Sequence, residues 1–210
     1  MEKNGLIFML DDDVLFLNLY KNLFEAQGYR VFATDNAYKF LQYAREIPAD
    51  IFLMDINMPD MNGWEVLQRL EKGGQVEAAP VVMMTVVADR DLAFAKGVAH
   101  FLNKPVNLDL LYEILEVYVR GGKKHDVLLI EDYNPLQNGL GEKLKEKRHS
   151  VFIVHDPRAA KNYLRKNKAR AVLVHKDNDE FVSLRPQLDN EKVFRVENEN
   201  NLVDIEKVIS

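Results

Sequence analysis

The chain has 210 residues, with 28 basic and 33 acidic side chains and a formal charge of −5. At roughly 150 residues per domain, that length accommodates one large domain or two small ones. With 47% hydrophobic and 29% charged residues, 10 glycines, 7 prolines and no cysteine, the composition excludes collagen-like, low-complexity and wholly disordered chains, disulfide frameworks and thiolate chemistry.

In chain order, Leu6–Leu10 is a continuous apolar run, the pattern of a strand buried on both faces. Apolar residues at Val14, Leu15, Leu17, Leu19, Leu23 and Phe24 predict a helix over Val14–Gln27 that stops at Gly28. Tyr29–Ala33 reads as a short strand and Ala37–Arg45 as a helix broken by Pro48. Ile51–Met54 is a second buried strand, and the segment from Met58 to Gly63 is rich in turn residues. Further along come a helix at Trp64–Leu70, a strand at Val81–Met84, a helix at Leu92–Lys96, a short strand at Phe101–Leu102 and a helix at Leu108–Tyr118. Strand and helix alternate throughout. That predicts an α/β fold with a doubly wound parallel sheet covered on both faces.

The longest apolar runs, Leu6–Leu10 and Ala78–Met84, fall far short of the roughly 20 residues that span a bilayer. The opening Met-Glu-Lys-Asn-Gly lacks a signal peptide's basic start and long apolar stretch, so a soluble, cytoplasmic protein without membrane partners is expected.

Charge divides the chain. Residues 1–120 carry 11 basic against 18 acidic side chains, and residues 121–210 carry 17 against 15. The change falls at the Gly121-Gly122 pair, which breaks helices and permits a hinge. The expected organisation is a domain over 1–120, a linker over 121–124 and a second domain over 125–210. The second half also repeats the first. A shift of 120 residues sets Val127–Ile130 on Ile7–Leu10, Glu131-Asp132 on Asp11-Asp12, Val151-Phe152 on Val31-Phe32 and Ala171–Val174 on Ile51–Met54. After its third strand the copy has about 35 residues left, against about 65 in the first half. A truncated second sheet follows.

Ligands of open parallel sheets bind at the carboxyl ends of the strands, beside the point where strand order reverses. Asp11, Asp12 and Asp13 follow the first strand directly, and Asp55 follows the third. Carboxylates gathered there repel one another unless a cation neutralises them. An all-oxygen set with no His or Cys nearby favours Mg²⁺. Asp is also a good helix N-cap, so one of the three aspartates is expected to cap the first helix, but capping accounts for neither Asp55 nor the Asp-Asp pair. The fourth strand ends in Thr85, and the fifth leads to Lys104-Pro105. A hydroxyl and an ammonium complete an anion site, and an Asp carboxylate can act as nucleophile toward phosphorus.

Taken together, Asp11-Asp12, the run from Leu53 through Asp55 to Gly63, Thr85 and Lys104-Pro105 resemble the response-regulator receiver domains of two-component signalling, over about residues 3–120. The resemblance implies a flavodoxin-like (βα)5 fold in which Asp55 accepts a phosphoryl group from a sensor histidine kinase or a histidine phosphotransfer protein. It implies Mg²⁺ on Asp12, Asp55 and the Asn57 carbonyl, with Asp11 acting through water. Lys104 would pair with the phosphoryl group, Thr85 would swing toward it, Phe101 would turn inward, and the Lys104-Pro105 bond would be cis. Three features depart from the family pattern. Val86 is β-branched where a small residue is usual, the interval from Thr85 to Lys104 is about three residues short, and Asp13 receives no metal bond. The shorter interval removes roughly a turn of the fourth helix. That helix lies on the face many receivers pair through, so monomer and homodimer both stay open.

The second half resembles a receiver without its chemistry. It keeps Glu131 and Asp132, but His175 stands at the acceptor position and Val193–Val196 offers neither Thr nor Lys-Pro. A phosphoacceptor role for His175, which ends a strand, and a metal site from His149, His155 and His175, the first two of which lie around a different strand, are both set aside. So is nucleic acid as a partner. The cluster of Lys161, Arg165, Lys166, Lys168 and Arg170 accompanies no groove-entering element. A haloacid-dehalogenase-like phosphatase would need Asp-x-Asp, and Asp55-Ile56-Asn57 lacks the second carboxylate. The expected function is therefore a phospho-accepting regulator signalling through protein contacts, with no DNA-binding or enzymatic output and no activity beyond Mg²⁺-dependent self-phosphorylation from a phosphodonor and autodephosphorylation. The alternative is a Mg²⁺-binding scaffold that signals little.

Overall fold

The structure, a computed structural model, describes residues 5–86, 98–131, 139–175 and 192–196, leaving aside the side chains of Thr85, His175, Lys192 and Arg195. These residues fall into two compact units that part between Gly121 and Gly122.

The first unit runs β1 (Leu6–Leu10), α1 (Val14–Ala26), β2 (Arg30–Thr34), α2 (Ala37–Glu46), β3 (Ile51–Asp55), α3 (Gly63–Lys72), α4 (Gln75–Ala78), β4 (Val81–Thr85), β5 (His100–Asn103) and α5 (Leu108–Leu115). Its five strands are parallel in the order β2-β1-β3-β4-β5, the flavodoxin-like order. All five residues of β1 and of β3 are buried, as continuous apolar runs require. Phe8 of β1 sits between Phe32 of β2 and Phe52 of β3 in register, and Phe40 of α2 closes over them. This aromatic cluster anchors one face of the sheet.

Caps set where the helices begin. Asp13 accepts from the amides of Leu15 and Phe16, Asn36 from Lys39, Asn62 from Glu65 and Asn107 from Leu110. Each satisfies an amide that the first turn leaves without a helical partner.

The helix expected over Leu108–Tyr118 instead leaves α geometry at Leu115 and widens into a π turn over Glu116–Arg120, closed by the Gly121 amide donating to the Glu116 carbonyl at 2.8 Å. Here Tyr29 donates to Glu116, and Arg120 lies 4.7 Å from the Tyr29 ring centre while donating to the Gln27 carbonyl. The clamp ties the end of the unit to the end of α1. The short α4, hidden in the sequence behind Gly73-Gly74, is a further departure, and β2 starts one residue late. The helix expected at Leu92–Lys96 lies outside the described residues.

The second unit runs β6 (Lys124–Ile130), α6 (Leu140–Glu146), β7 (Val151–Val154), α7 (Pro157–Lys166), β8 (Lys168–His175) and β9 (Lys192–Val196). Its parallel order, β7-β6-β8-β9, is that of the first four strands of the other sheet. The pairings repeat at the 120-residue offset. Ile7 opposes Val31 and Ile51, and Val127 opposes Val151 and Ala171. One cap repeats too, with Asp156 opening α7 where Asn36 opens α2, whereas α6 opens at Gly139 without the side-chain cap that Asp13 gives α1. The offset breaks only at the fourth strand, because Phe52 opposes Val81 whereas Val172 opposes Val193. Among the described residues this sheet has four strands, so both units are parallel α/β sheets and the second is the shorter. No described helix is long and apolar enough to cross a membrane.

Burial and the Glu116 carboxylate push the Tyr29 phenol up to about 12. A phenol whose folded value lies above its unfolded value near 10 stabilises the fold at lower pH, and that contribution is lost as pH rises toward 12. Tyr29→Phe is expected to flatten the alkaline stability profile by roughly 2–3 kcal/mol between pH 10 and 12. Urea denaturation of both proteins across that range measures it, and parallel profiles would contradict the assignment.

Candidate functional site

The reversal of strand order in the first sheet lies between β1 and β3. Asp11 follows β1 and is fully buried, while Asp55 is the last residue of β3 and only 4% exposed. Lys104 follows β5, two strands from β3, and its stem reaches past the end of β4. The Lys104 ammonium lies 2.6 Å from Asp11 Oδ2 and 2.6 Å from Asp55 Oδ2. One cation thus holds two buried carboxylates from neighbouring strands.

The other oxygens are held by backbone. Asp11 Oδ1 accepts from the Asp13 amide at 3.1 Å, and Asp55 Oδ1 accepts from Ile56 at 2.6 Å and Asn57 at 3.2 Å. Asp12 is exposed, and carboxylate oxygens of Asp11, Asp12 and Asp55 lie within 4.8 Å of one another. Asp13 turns away to cap α1, which separates its role from that of the other two. Burial raises the Asp11 carboxyl above its ordinary value, and the bond from Lys104 only partly offsets this. Burial pulls the Lys104 ammonium down, but its bonds to Asp11 and Asp55 outweigh that and leave it above its usual range. The cation therefore stays charged. A hard-oxygen donor set with one solvent-facing carboxylate fits Mg²⁺, which keeps several waters.

The turn from β3 into α3 depends on Gly63. Its amide donates to the Ile56 carbonyl at 2.8 Å, and a Cβ there would lie 2.2 Å from the Asp55 carbonyl oxygen. Thr85 ends β4 opposite Asn103 of β5, although its side chain lies outside the described residues. Val86 beside it is 70% exposed. Phe101 is half-buried on β5, with its ring centre 6.1 Å from that of Trp64. The Lys104-Pro105 peptide is cis, matching the expectation.

Phe16 is the site residue that the sequence reading misses. Its ring centre is 4.5 Å from the Lys104 ammonium, and it stacks on Tyr20 at 4.1 Å. The apolar pattern of α1 does not single it out. The available signal is its place in the first turn, from which a helical side chain leans back toward the strand end.

In the second unit Glu131 follows β6, its carbonyl accepting from His155 Nδ1 at 2.9 Å, while Asp132 lies outside the described residues. His175 ends β8 opposite Val196. His149 lies between α6 and β7. Among the described residues, Asp11, Asp12 and Asp55 form the one group of acidic or histidine side chains placed to hold a metal ion.

The family profile of the response regulator receiver domain matches residues 7–116, just over half of the chain. The chain belongs to this family. Receiver domains are generally non-enzymatic signalling modules of two-component systems, and they bind Mg²⁺ at an acidic pocket. The polar-differentiation response regulator DivK of Brucella anthropi is 29% identical over 116 residues, covering 94% of that protein and 54% of this chain. DivK of Brucella ovis is 28% identical over the same share. The chemotaxis protein CheY4 of Vibrio cholerae, 23% identical, superposes with a TM-score of 0.51 over 55% of this chain and 98% of its own, which supports the fold. These likenesses account for about half of the chain.

Two outcomes follow from the site. Gly63→Ala forces backbone apart at Asp55 and is expected to cost about 1–3 kcal/mol by chemical denaturation; an unchanged midpoint would contradict the close packing. Asp11→Asn removes a buried carboxylate held unfavourably charged. Without divalent ions it is expected to stabilise the fold by about 1 kcal/mol, and a lower melting temperature than the parent would show that the Lys104 bond dominates instead.

Proposed function

We propose that this chain is a response regulator that accepts a phosphoryl group on Asp55 and signals by altered protein contacts. The observation that carries the reading is the Lys104 ammonium at 2.6 Å from both Asp11 and Asp55, a fixed cation beside a buried, backbone-held carboxylate. In the proposed step an Asp55 oxygen attacks the phosphorus of a phosphohistidine, the P–N bond breaks as the O–P bond forms, and imidazole leaves. The Ile56 and Asn57 amides orient the Asp55 carboxylate, and Lys104 offsets charge on the incoming phosphoryl oxygens. Asp12, Asp55 and the Asn57 carbonyl would hold Mg²⁺, with Asp11 acting through water. The ion would supply further charge neutralisation at the phosphoryl group. Thr85 and Phe101 are the proposed switch residues on the β4–β5 edge.

The donor is proposed to be a histidine kinase or a phosphotransfer protein. Val14, Leu15 and Leu19 support docking beside the acidic edge. They are 50%, 80% and 57% exposed, and Leu15 and Leu19 share one face of α1. The second unit is proposed to be a degenerate receiver, over residues 125–210, that keeps the sheet and makes contacts. It carries His175 where the acceptor would stand. The output of phosphorylation is then a changed protein surface rather than DNA binding or catalysis.

Incubation with a labelled small-molecule phosphodonor and Mg²⁺ is expected to label the full chain, and Asp55→Asn is expected to abolish the label. Label surviving that substitution would contradict the acceptor assignment. No label on the parent would favour a Mg²⁺-binding scaffold.

A further inference from the structure

Beyond the carboxylates, the Lys104 ammonium has a third neighbour. The Phe16 ring centre lies 4.5 Å away, inside the roughly 6 Å within which a ring's negative face attracts a cation. Phe16 is itself braced. Its ring stacks on Tyr20 at 4.1 Å with 26° between the planes, and Tyr20 is buried against Phe24, which is fully buried. Tyr20 also feels the charge, for burial raises its phenol and the Lys104 ammonium pulls it back down. Asp13, by capping α1 through the Leu15 and Phe16 amides, fixes the backbone from which the ring projects. The ammonium is therefore confined by two carboxylates and an aromatic face. Lysine carries a flexible four-carbon stem, so this confinement restricts a side chain that would otherwise sample many rotamers.

We propose that Phe16 is a positioning residue of the site, its ring holding the Lys104 ammonium aimed at Asp55 through a cation–π contact. It touches no reacting atom and acts only through Lys104. The inference rests on the reading of Asp55 as phosphoryl acceptor, since a pre-aimed cation matters only where an anion arrives. A cation held in place ahead of that arrival costs no reorganisation when the phosphoryl group enters. An aliphatic residue of similar size would fill the space without the ring's quadrupole.

The test separates geometry from function, using the full chain throughout. In metal-free protein, the Lys104 Hε protons are expected to show an upfield ring-current shift that Phe16→Leu removes and Phe16→Trp retains. An unshifted Lys104 would overturn the contact. For function, beryllofluoride with Mg²⁺ serves as the phosphoryl mimic, its binding followed by titration calorimetry. Phenylalanine analogues with increasing ring fluorination at position 16 keep the shape while draining the π face. Beryllofluoride affinity is expected to fall stepwise along that series, by roughly two- to fivefold at full fluorination. Phe16→Leu should show a similar loss, and Phe16→Trp should restore binding. A flat series on a parent that binds beryllofluoride would overturn the positioning role and leave the acceptor reading standing. A parent that does not bind beryllofluoride would overturn the acceptor reading, and this inference with it.

Discussion

One ammonium among buried carboxylates is the constraint on which the first unit depends. Asp11 and Asp55 are brought to one edge because β1 and β3 are neighbours in a parallel sheet, and two buried carboxylates that close would repel without a cation. Lys104 is the long side chain that can reach both, and it does so from β5, past the end of β4. The site therefore needs the whole strand order β2-β1-β3-β4-β5 in place. The tight turn at Gly63, the backbone amides on Asp55 and the cap at Asp13 all serve to keep that edge in register.

The second unit separates what packing demands from what the site demands. Its β6, β7 and β8 repeat the pairings of β1, β2 and β3 at a fixed offset, because a slip of one residue would swap side chains between the two packed faces of the sheet and misfit both. The strand ends are under no such constraint. There His175 replaces the aspartate, and β9 arrives with a shorter connection and ends in Val196 where β4 ends in Thr85. Retained register with altered edge residues is what a fold kept for its surface rather than its chemistry would show, and that supports the proposed degenerate receiver.

Much of this architecture is legible in the sequence because it rests on local signals. Leu6–Leu10 and Ile51–Met54 are apolar throughout, which marks strands buried on both faces. Gly28 and Pro48 mark where the first two helices stop. The carboxylate cluster is also legible, since strand ends of a doubly wound sheet converge on one edge. Features that depend on tertiary contact are not. The π turn after α5 goes with Arg120 and Glu116 meeting Tyr29, about ninety positions away, and no periodicity encodes that meeting. The placement of Phe16 over Lys104 is hidden for the same reason, because an aromatic in a helix's first turn reads as ordinary apolar content until β5 delivers the lysine. Capping resolves the run Asp11-Asp12-Asp13 into distinct roles. Only Asp13 accepts from the α1 amides, and that assignment depends on backbone geometry rather than residue type.

The carboxylate edge poised by Lys104 is proposed to be a divalent-ion and phosphoryl site. Calorimetric titration of the full chain with Mg²⁺ alone tests it most directly. A single saturable site is expected, which Asp12→Asn weakens strongly while leaving the melting temperature near that of the parent. A parent chain that takes up no Mg²⁺, or one whose binding is indifferent to the loss of the Asp12 carboxylate, would contradict it.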